Sequence, residues 1–466
     1  MIQLSDVNHV HCVGIGGIGL SAVAEILLSE GYRVSGSDMN EGDMTDRLID
    51  RGATVYLGHR ARNVGDADIV VYSSAIPQSN PELAYAREAG IPTATRAQML
   101  GFLMSRKECS VAVAGAHGKT TATAMVSLVL RRAGKDPTIL VGGNLSEISG
   151  NVAVGSGDYF VTEACEYMDS FLSLAPKYAI ILNIDSDHLD YFKDIDHIVS
   201  SFEQFANQVR DDGAVIAFDA NPFVSSIIDR TDRRVITFGY NRRCDYSAGD
   251  IKFGGDGMPE FTVRKGGEHL CHIRLAIPGE HNISNALAAF ACCVEMGIDP
   301  QEIAQTLEQF KGTQRRFDMR GETFGGVMVI DDYAHHPAEI TATIRAARNI
   351  PHKSLWVLFQ PHTYTRTLAL HDDFAEALGL ADKVVIAEIY AAREKNIHQI
   401  SAKSIAAKMK EDDPGRDAWF FNSFDEISSF VLNNAAEGDL IITMGAGDIF
   451  KVGDLILETD RNAHLK

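Results

Sequence analysis

Two glycine-rich stretches put backbone and charge where phosphate chemistry needs them. Residues 115–121 read GAHGKTT, between the apolar run VAVA and a long helical pattern. A glycine loop between strand and helix turns backbone N–H groups inward and adds the positive helix N-terminus, a cradle for phosphates. Lys119 is spaced to reach the β- and γ-phosphates of a nucleotide, and the Thr120 hydroxyl to ligate Mg2+. The common form of this loop is G-x-x-x-x-G-K-[ST]. Val113 stands where its first glycine falls, so a shorter or differently shaped loop is expected. Residues 9–27, HVHCVGIGGIGLSAVAEIL, hold the second loop, with Gly14, Gly16 and Gly19 spaced G-x-G-x-x-G and Asp38 following. That spacing is the dinucleotide fingerprint. Alone it points to a nicotinamide oxidoreductase, which has no need of a Lys-Thr loop. The chain carries both, so two phosphate-bearing ligands are expected.

A phosphate loop needs a carboxylate for its metal. Glu163 ends the next apolar strand, in YFVTEACEYMDSF, with Glu166 and Asp169 within the following turn. NIDSDHLD ends the strand after that and clusters Asp185, Asp187, His188 and Asp190. Strand C-termini are where sites lie in open α/β sheets. The cluster suits a metal or catalytic role, or a cap followed by a turn. TQRRFD (313–318) offers Arg315 and Arg316 as a phosphate clamp or a surface ion pair. VIDDYAHHPAEI (329–340) and FQPHTYTRT (359–367) end two further apolar strands with dense polar groups, a second substrate surface.

These loops require a scaffold of alternating strands and helices, and the chain reads that way almost throughout. The first hundred residues give strands at 9–13, 33–37, 53–57 and 68–73, with helices at 19–30, 45–51 and 81–89. Residues 91–108 read as a connecting helix. A second unit opens at the phosphate loop, and residues 240–275 alternate like a small antiparallel patch. A third begins near 312, with strands VMVIDDY, SLWVLFQ, KVVIAEIY and DLIITMG. Such alternation implies parallel, doubly wound sheets. The 466 residues are 45% hydrophobic and 23% charged, enough for several cores. The net charge of −20 opposes nucleic-acid binding. Seven scattered cysteines without a C-x-x-C pair imply reduced thiols. No apolar run suits a membrane span and the opening residues lack a secretory pattern, so a cytoplasmic enzyme is expected.

GAHGKTT, SDHLD, HNISNALAA, RRFD, DDYAHHPAE and QPHTYTRT occur in order, and together they resemble the Mur ligases over essentially the whole chain. GIGGIGLSAVAE, SGSD and SSAIP resemble the alanine-adding branch of that family. The resemblance implies an α/β protein of three domains. These are a Rossmann-like UDP-substrate domain (1–106), a central P-loop ATPase with a mostly parallel sheet and a small antiparallel patch (107–311), and a Rossmann-like amino-acid-side domain (312–466). It implies ATP- and Mg2+-dependent amide formation between L-alanine and the lactyl carboxylate of UDP-N-acetylmuramate, through an acyl phosphate, by a monomer or weak homodimer.

Carried over by motif, ATP falls to Gly115, Ala116, His117, Gly118, Lys119, Thr120, Thr121, His281, Asn282, Asn285, Arg316 and Asp332. Catalysis falls to Lys119, Glu163, His188 and Arg316, and metal to Thr120, Glu163 and His188. Gly16, Ile18, Gly19, His59, Ser73 and Ser74 resemble the UDP-sugar side, and Tyr333, His335 and Arg366 the amino-acid side. Ala116 replaces a frequent Thr, EACEYMDSF replaces EADESDxSF, and Thr363 stands where relatives carry Arg, leaving Arg366 as the expected partner of the amino-acid carboxylate. The alternatives are the murein-peptide recycling branch, a nicotinamide oxidoreductase, and a P-loop regulator without amide synthesis.

Overall fold

The computed structural model describes residues 7–188 and 191–464. By its contacts the chain divides into two compact units, residues 1–246 with 288–302, and 247–287 with 303–466. Asp190 lies outside the described residues.

The first unit holds two parallel sheets. The smaller runs Thr54–Leu57, Arg33–Asp38, His9–Val13, Ile69–Tyr72, Thr93–Thr95, all parallel. Its central strand, HVHCV, is buried along its whole length. Residues 91–108 do not form one helix. Thr93–Thr95 is an edge strand, and the helix Arg96–Ser105 starts behind it with a reciprocal cap between Thr95 and Gln98. T-x-x-Q ahead of an apolar run is the signature of that start. The larger sheet runs Val235–Gly239, Ala214–Phe218, Tyr178–Ile181, Cys109–Ala114, Tyr159–Glu163, Thr138–Leu145, with Gly150–Ala153 antiparallel at its end. One apolar core joins the two sheets, from Val10 and Leu27 through Leu103 to Phe171 and Phe202.

In the second unit, Pro259–Lys265 and Glu268–Arg274 form an antiparallel hairpin. Its turn, Gly266–Gly267, has φ of 56° and 88°, which glycine adopts without strain. A six-stranded sheet runs Asp318–Glu322, Met328–Asp332, Leu440–Met444, Leu355–Phe359, Lys383–Ala387, Asp417–Phe421, parallel except for its first strand.

The smaller sheet of the first unit encloses a fully buried carboxylate. Glu82 accepts from Ser37 Oγ (2.5 Å), Arg60 N (3.0 Å) and Asn63 Nδ2 (2.7 Å). His11 Nε2 and His59 Nδ1 lie 3.6 and 3.5 Å from it. Burial pushes its carboxyl up, but these partners outweigh burial and hold it at about 2. Ser37 carries the arrangement to the glycine loop, because its carbonyl accepts from Gly14 N and Ile15 N. With the folded value below the unfolded one, Glu82 stabilises the fold above pH ~4.5, and that contribution is lost as pH falls toward 2. It amounts to ~3 kcal/mol. Glu82→Gln is expected to lower unfolding free energy by about 2–3 kcal/mol at pH 7. In urea titrations at successive pH values the gap from the parent should narrow below pH ~4.5, and a constant gap would refute this account.

Candidate active site

The phosphate loop lies at the end of the apolar strand Cys109–Ala114, ahead of the helix Lys119–Arg132. Gly115 has φ of 147°, and a Cβ there would stand 3.0 Å from Leu182 Cβ and 3.2 Å from Asn183 N. Gly118, at φ 86°, opens the helix. Val113 lies back in the strand, and the close approach of the loop falls at Gly115 instead. The neighbouring strand end clamps it. Asn183 Oδ1 accepts from His117 N (2.9 Å), Asn183 Nδ2 donates to His117 O (3.0 Å), and the Asn183 carbonyl accepts from Ala116 N (3.2 Å). Asn183 escaped the sequence reading, although it opens the NIDSDHLD run. His117 faces Asp185, with Nε2 to Oδ2 at 3.5 Å.

Lys119 does not extend into solvent. Its Nζ donates to the carbonyls of Gly115 and Ala116, and both Glu166 oxygens lie 3.0 Å away. Burial pushes the ammonium down, while Glu166 leads the charges that push it up, and the net direction is up. Thr120 is buried at the first turn of the helix, with Thr121 behind it. Glu163 pairs in register with Val113 and accepts from Gly142 N at 2.6 Å. A Cβ on Gly142 would stand 2.6 Å from a Glu163 oxygen, so any other residue there would push the carboxylate aside.

Beyond Glu163 the chain takes two successive left-handed residues, Met168 (φ 54°) and Asp169 (φ 53°). For residues other than glycine this conformation costs energy and persists only when neighbours impose it. Asp169 accepts from Tyr191 Oη and Ser201 Oγ, which hold it there. His188, also left-handed at φ 55°, sets its ring 4.8 Å from that of Tyr167. The Glu163 loop and the His188 loop are thus tied together.

In the smaller sheet, Gly14 turns at φ 84° and Gly16 N donates to Asp38 Oδ2 (2.9 Å). Asp38 therefore braces the loop. Ile18 opens the following helix with 61% of its surface exposed. A Cβ on Gly19 would meet the Arg96 side chain at 3.1 Å, so an arginine the sequence reading missed flanks the helix N-terminus. Ser73 N donates to Val13 O (3.4 Å), Ser74 is exposed, and His59 Nδ1 lies 2.9 Å from Ser37 Oγ.

In the second unit, the Arg315 and Arg316 guanidinium carbons lie 4.9 and 5.2 Å from the Tyr333 ring centre. Arg315 is fixed by Asp331 (3.0 Å) and the carbonyls of Gly445 and Gly447. Asp332 accepts from Phe317 N and Ala334 N at 2.8 Å each, and burial pushes its carboxyl up to about 6. His335 Nδ1 sits 3.0 Å from Tyr333 O. Thr363, at φ 65°, caps the helix Tyr364–Ala369 that carries Arg366. Asn282 donates to Pro278 O, and Asn285 to Asn282, just after His281.

Three family models cover the chain: "Mur ligase family, catalytic domain" at 9–108, "Mur ligase middle domain" at 113–293, and "Mur ligase, glutamate ligase domain" at 315–447. UDP-N-acetylmuramate–L-alanine ligase of Alkaliphilus metalliredigens is 47% identical over 452 residues, 97% of each chain. Its counterpart in Caldanaerobacter subterraneus is 47% identical over 460 residues, 99% of each. Among solved structures, UDP-N-acetylmuramate-alanine ligase of Thermotoga maritima superposes with a TM-score of 0.81 at 32% identity, covering 98% of this chain and 99% of that one. A murein peptide ligase of Psychrobacter arcticus gives 0.71 at 26%, covering 97% and 99%.

The Asn183 clamp yields a test. Asn183→Asp turns the donor to His117 O into a second acceptor, with repulsion in place of a bond. ATP affinity by calorimetry is expected to fall roughly tenfold or more, ~1.4 kcal/mol. Unchanged affinity would show that the loop holds its shape without the clamp.

Proposed function

The chain belongs to the Mur ligase family, and from that premise we propose that it joins L-alanine to the lactyl carboxylate of UDP-N-acetylmuramate at the expense of ATP, a step of peptidoglycan precursor synthesis. The observation that carries this reading is the near full-length identity of 47% to the alanine-adding ligases. The phosphate loop and the Arg315–Tyr333–Arg316 arrangement support it.

The lactyl carboxylate oxygen attacks the γ-phosphorus and ADP leaves, giving an acyl phosphate. The amine of L-alanine, having lost a proton from its ammonium, attacks the carbonyl carbon, and inorganic phosphate is expelled. Positioning and electrostatics supply the catalysis. The N-terminus of the helix Lys119–Arg132, opened by Gly118, and the Lys119 ammonium stabilise the transferring phosphoryl group. The Thr120 hydroxyl and Glu163 carboxylate form an oxygen donor set that suits a hard cation, and the bare backbone of Gly142 beside Glu163 fits such a site. We assign Mg2+ to them, with His188 at a second metal; bound there, the cation would neutralise phosphate charge.

His281, Asn282, Asn285 and Asp332 take the nucleoside, and Arg316 the γ-phosphate. Arg366, Tyr333 and His335 take the amino acid. The UDP handle falls to Gly16, Ile18, Gly19, His59, Ser73 and Ser74, with Arg96 added for its diphosphate. We also retain three domains at 1–106, 107–311 and 312–466, and a monomer or weak homodimer. Among the described residues no helix is long and apolar enough to cross a membrane, and all seven cysteines are free thiols. A cytoplasmic enzyme fits both.

Phosphate release from ATP is expected only when both UDP-N-acetylmuramate and L-alanine are present, and faster with L-alanine than with the peptide that a murein-peptide ligase joins. Release without either substrate, or preference for the peptide, would overturn the assignment. Lys119→Ala is expected to reduce ligation by at least about a thousandfold and to leave binding of UDP-N-acetylmuramate, measured by calorimetry, within about twofold. Equal loss of both would contradict the division of labour between the two glycine loops.

A further inference from the structure

The phosphate-loop lysine is already occupied. An ammonium has three donors, and those of Lys119 are engaged by two loop carbonyls and the Glu166 carboxylate. Glu166 is nearly inaccessible: the two side chains keep 16% and 4% of their surface. The pair is not a loose surface contact, since Glu166 opens the turn with left-handed Met168 and Asp169, of which Asp169 is held by Tyr191 and Ser201. Glu163, whose charge acts on Lys119, and Asp185, which faces His117, add further negative charge around the loop. With Lys119 neutralised, the loop offers incoming phosphate no free lysine charge.

Resting on the reading of residues 115–121 as the ATP site, we propose that Glu166 is a built-in competitor of phosphate, a carboxylate that occupies the Lys119 ammonium in the nucleotide-free enzyme and must be displaced for the nucleotide to bind. The carboxylate spares the buried ammonium a partnerless state. When nucleotide arrives, phosphate oxygens replace the carboxylate oxygens, and part of the nucleotide's binding energy goes into breaking the pair. The same pair re-forms as ADP leaves, so Glu166 favours product release. It acts through Lys119 and is a positioning residue.

The consequence runs against what loss of a structural contact would give. Glu166→Gln keeps the shape and removes the charge, so the full chain is expected to bind ADP and a non-hydrolysable ATP analogue, each with Mg2+, roughly three- to tenfold more tightly by calorimetry. ADP dissociation in stopped flow should slow by a similar factor. In a Lys119→Met background the same substitution should leave affinity unchanged, because the competed group is gone. Should Glu166→Gln fail to fold, Glu166→Asp, which keeps the charge but draws it back, carries the test with the same sign and a smaller shift. Weaker or unaltered nucleotide binding in a folded Glu166 variant, with Lys119→Met still impairing binding, would overturn the proposal and leave the ATP site standing. Binding indifferent to Lys119→Met would instead remove the reading on which the proposal rests.

Discussion

A cation placed under a glycine loop, away from water, must be matched by anions, and the first unit is arranged around that requirement. Lys119 is buried because the loop that presents inward N–H groups also folds its side chain back over two carbonyls. Burial of an unpaired ammonium costs several kcal/mol. Glu166 offsets that cost without nucleotide. Holding Glu166 requires a backbone that turns back on itself after Tyr159–Glu163, which accounts for the left-handed pair Met168–Asp169 and its anchors on Tyr191 and Ser201. The left-handed residues lie two and three positions beyond the carboxylate that meets Lys119.

The two glycine loops show how similar spacing serves different charge balances. Both start at the C-terminal end of a buried parallel strand and lead into a helix. In the first, an acidic residue closes the loop, with Asp38 accepting from Gly16 N. In the second, an amide closes it, with Asn183 both accepting from and donating to the His117 backbone. A lysine follows only the second loop. The cation beside the first loop is instead Arg96, which flanks its helix N-terminus from another helix. The loops therefore differ in what they can do even where their glycines coincide.

Much of this was legible in the sequence because glycine, lysine and strand-end carboxylates have few other reasons to occur together. The parallel strands HVHCV, VAVA, LWVLF and LIITM could be read because burial on both faces leaves them apolar throughout. Strand Thr93–Thr95 was not legible as such. At three residues on a sheet edge it has no apolar run, and the helix behind it dominates the pattern. Glu82 and Asn183 were hidden for another reason. Their roles depend on partners 19 to 71 residues away, and spacing along the chain carries no trace of such contacts. Glu166 was visible as an acid near the loop, but only the fold shows that its two oxygens face Lys119.

The second unit places its cations differently. Arg315 is spent on structure, fixed by Asp331, Gly445, Gly447 and the ring of Phe450. That anchor fixes one side of Tyr333, and Arg316 lies against the same ring, with Glu339 at 3.9 Å and the charge of Asp332 also acting on it. A guanidinium against an aromatic face keeps its charge and loses rotamer freedom, so less entropy remains to be lost when it meets an anion. Lys119 is held by a carboxylate at hydrogen-bond distance, whereas Arg316 is held by a ring, with Glu339 at 3.9 Å. The first arrangement limits how tightly the nucleotide binds. The second orients a guanidinium that still keeps 30% of its side-chain surface exposed.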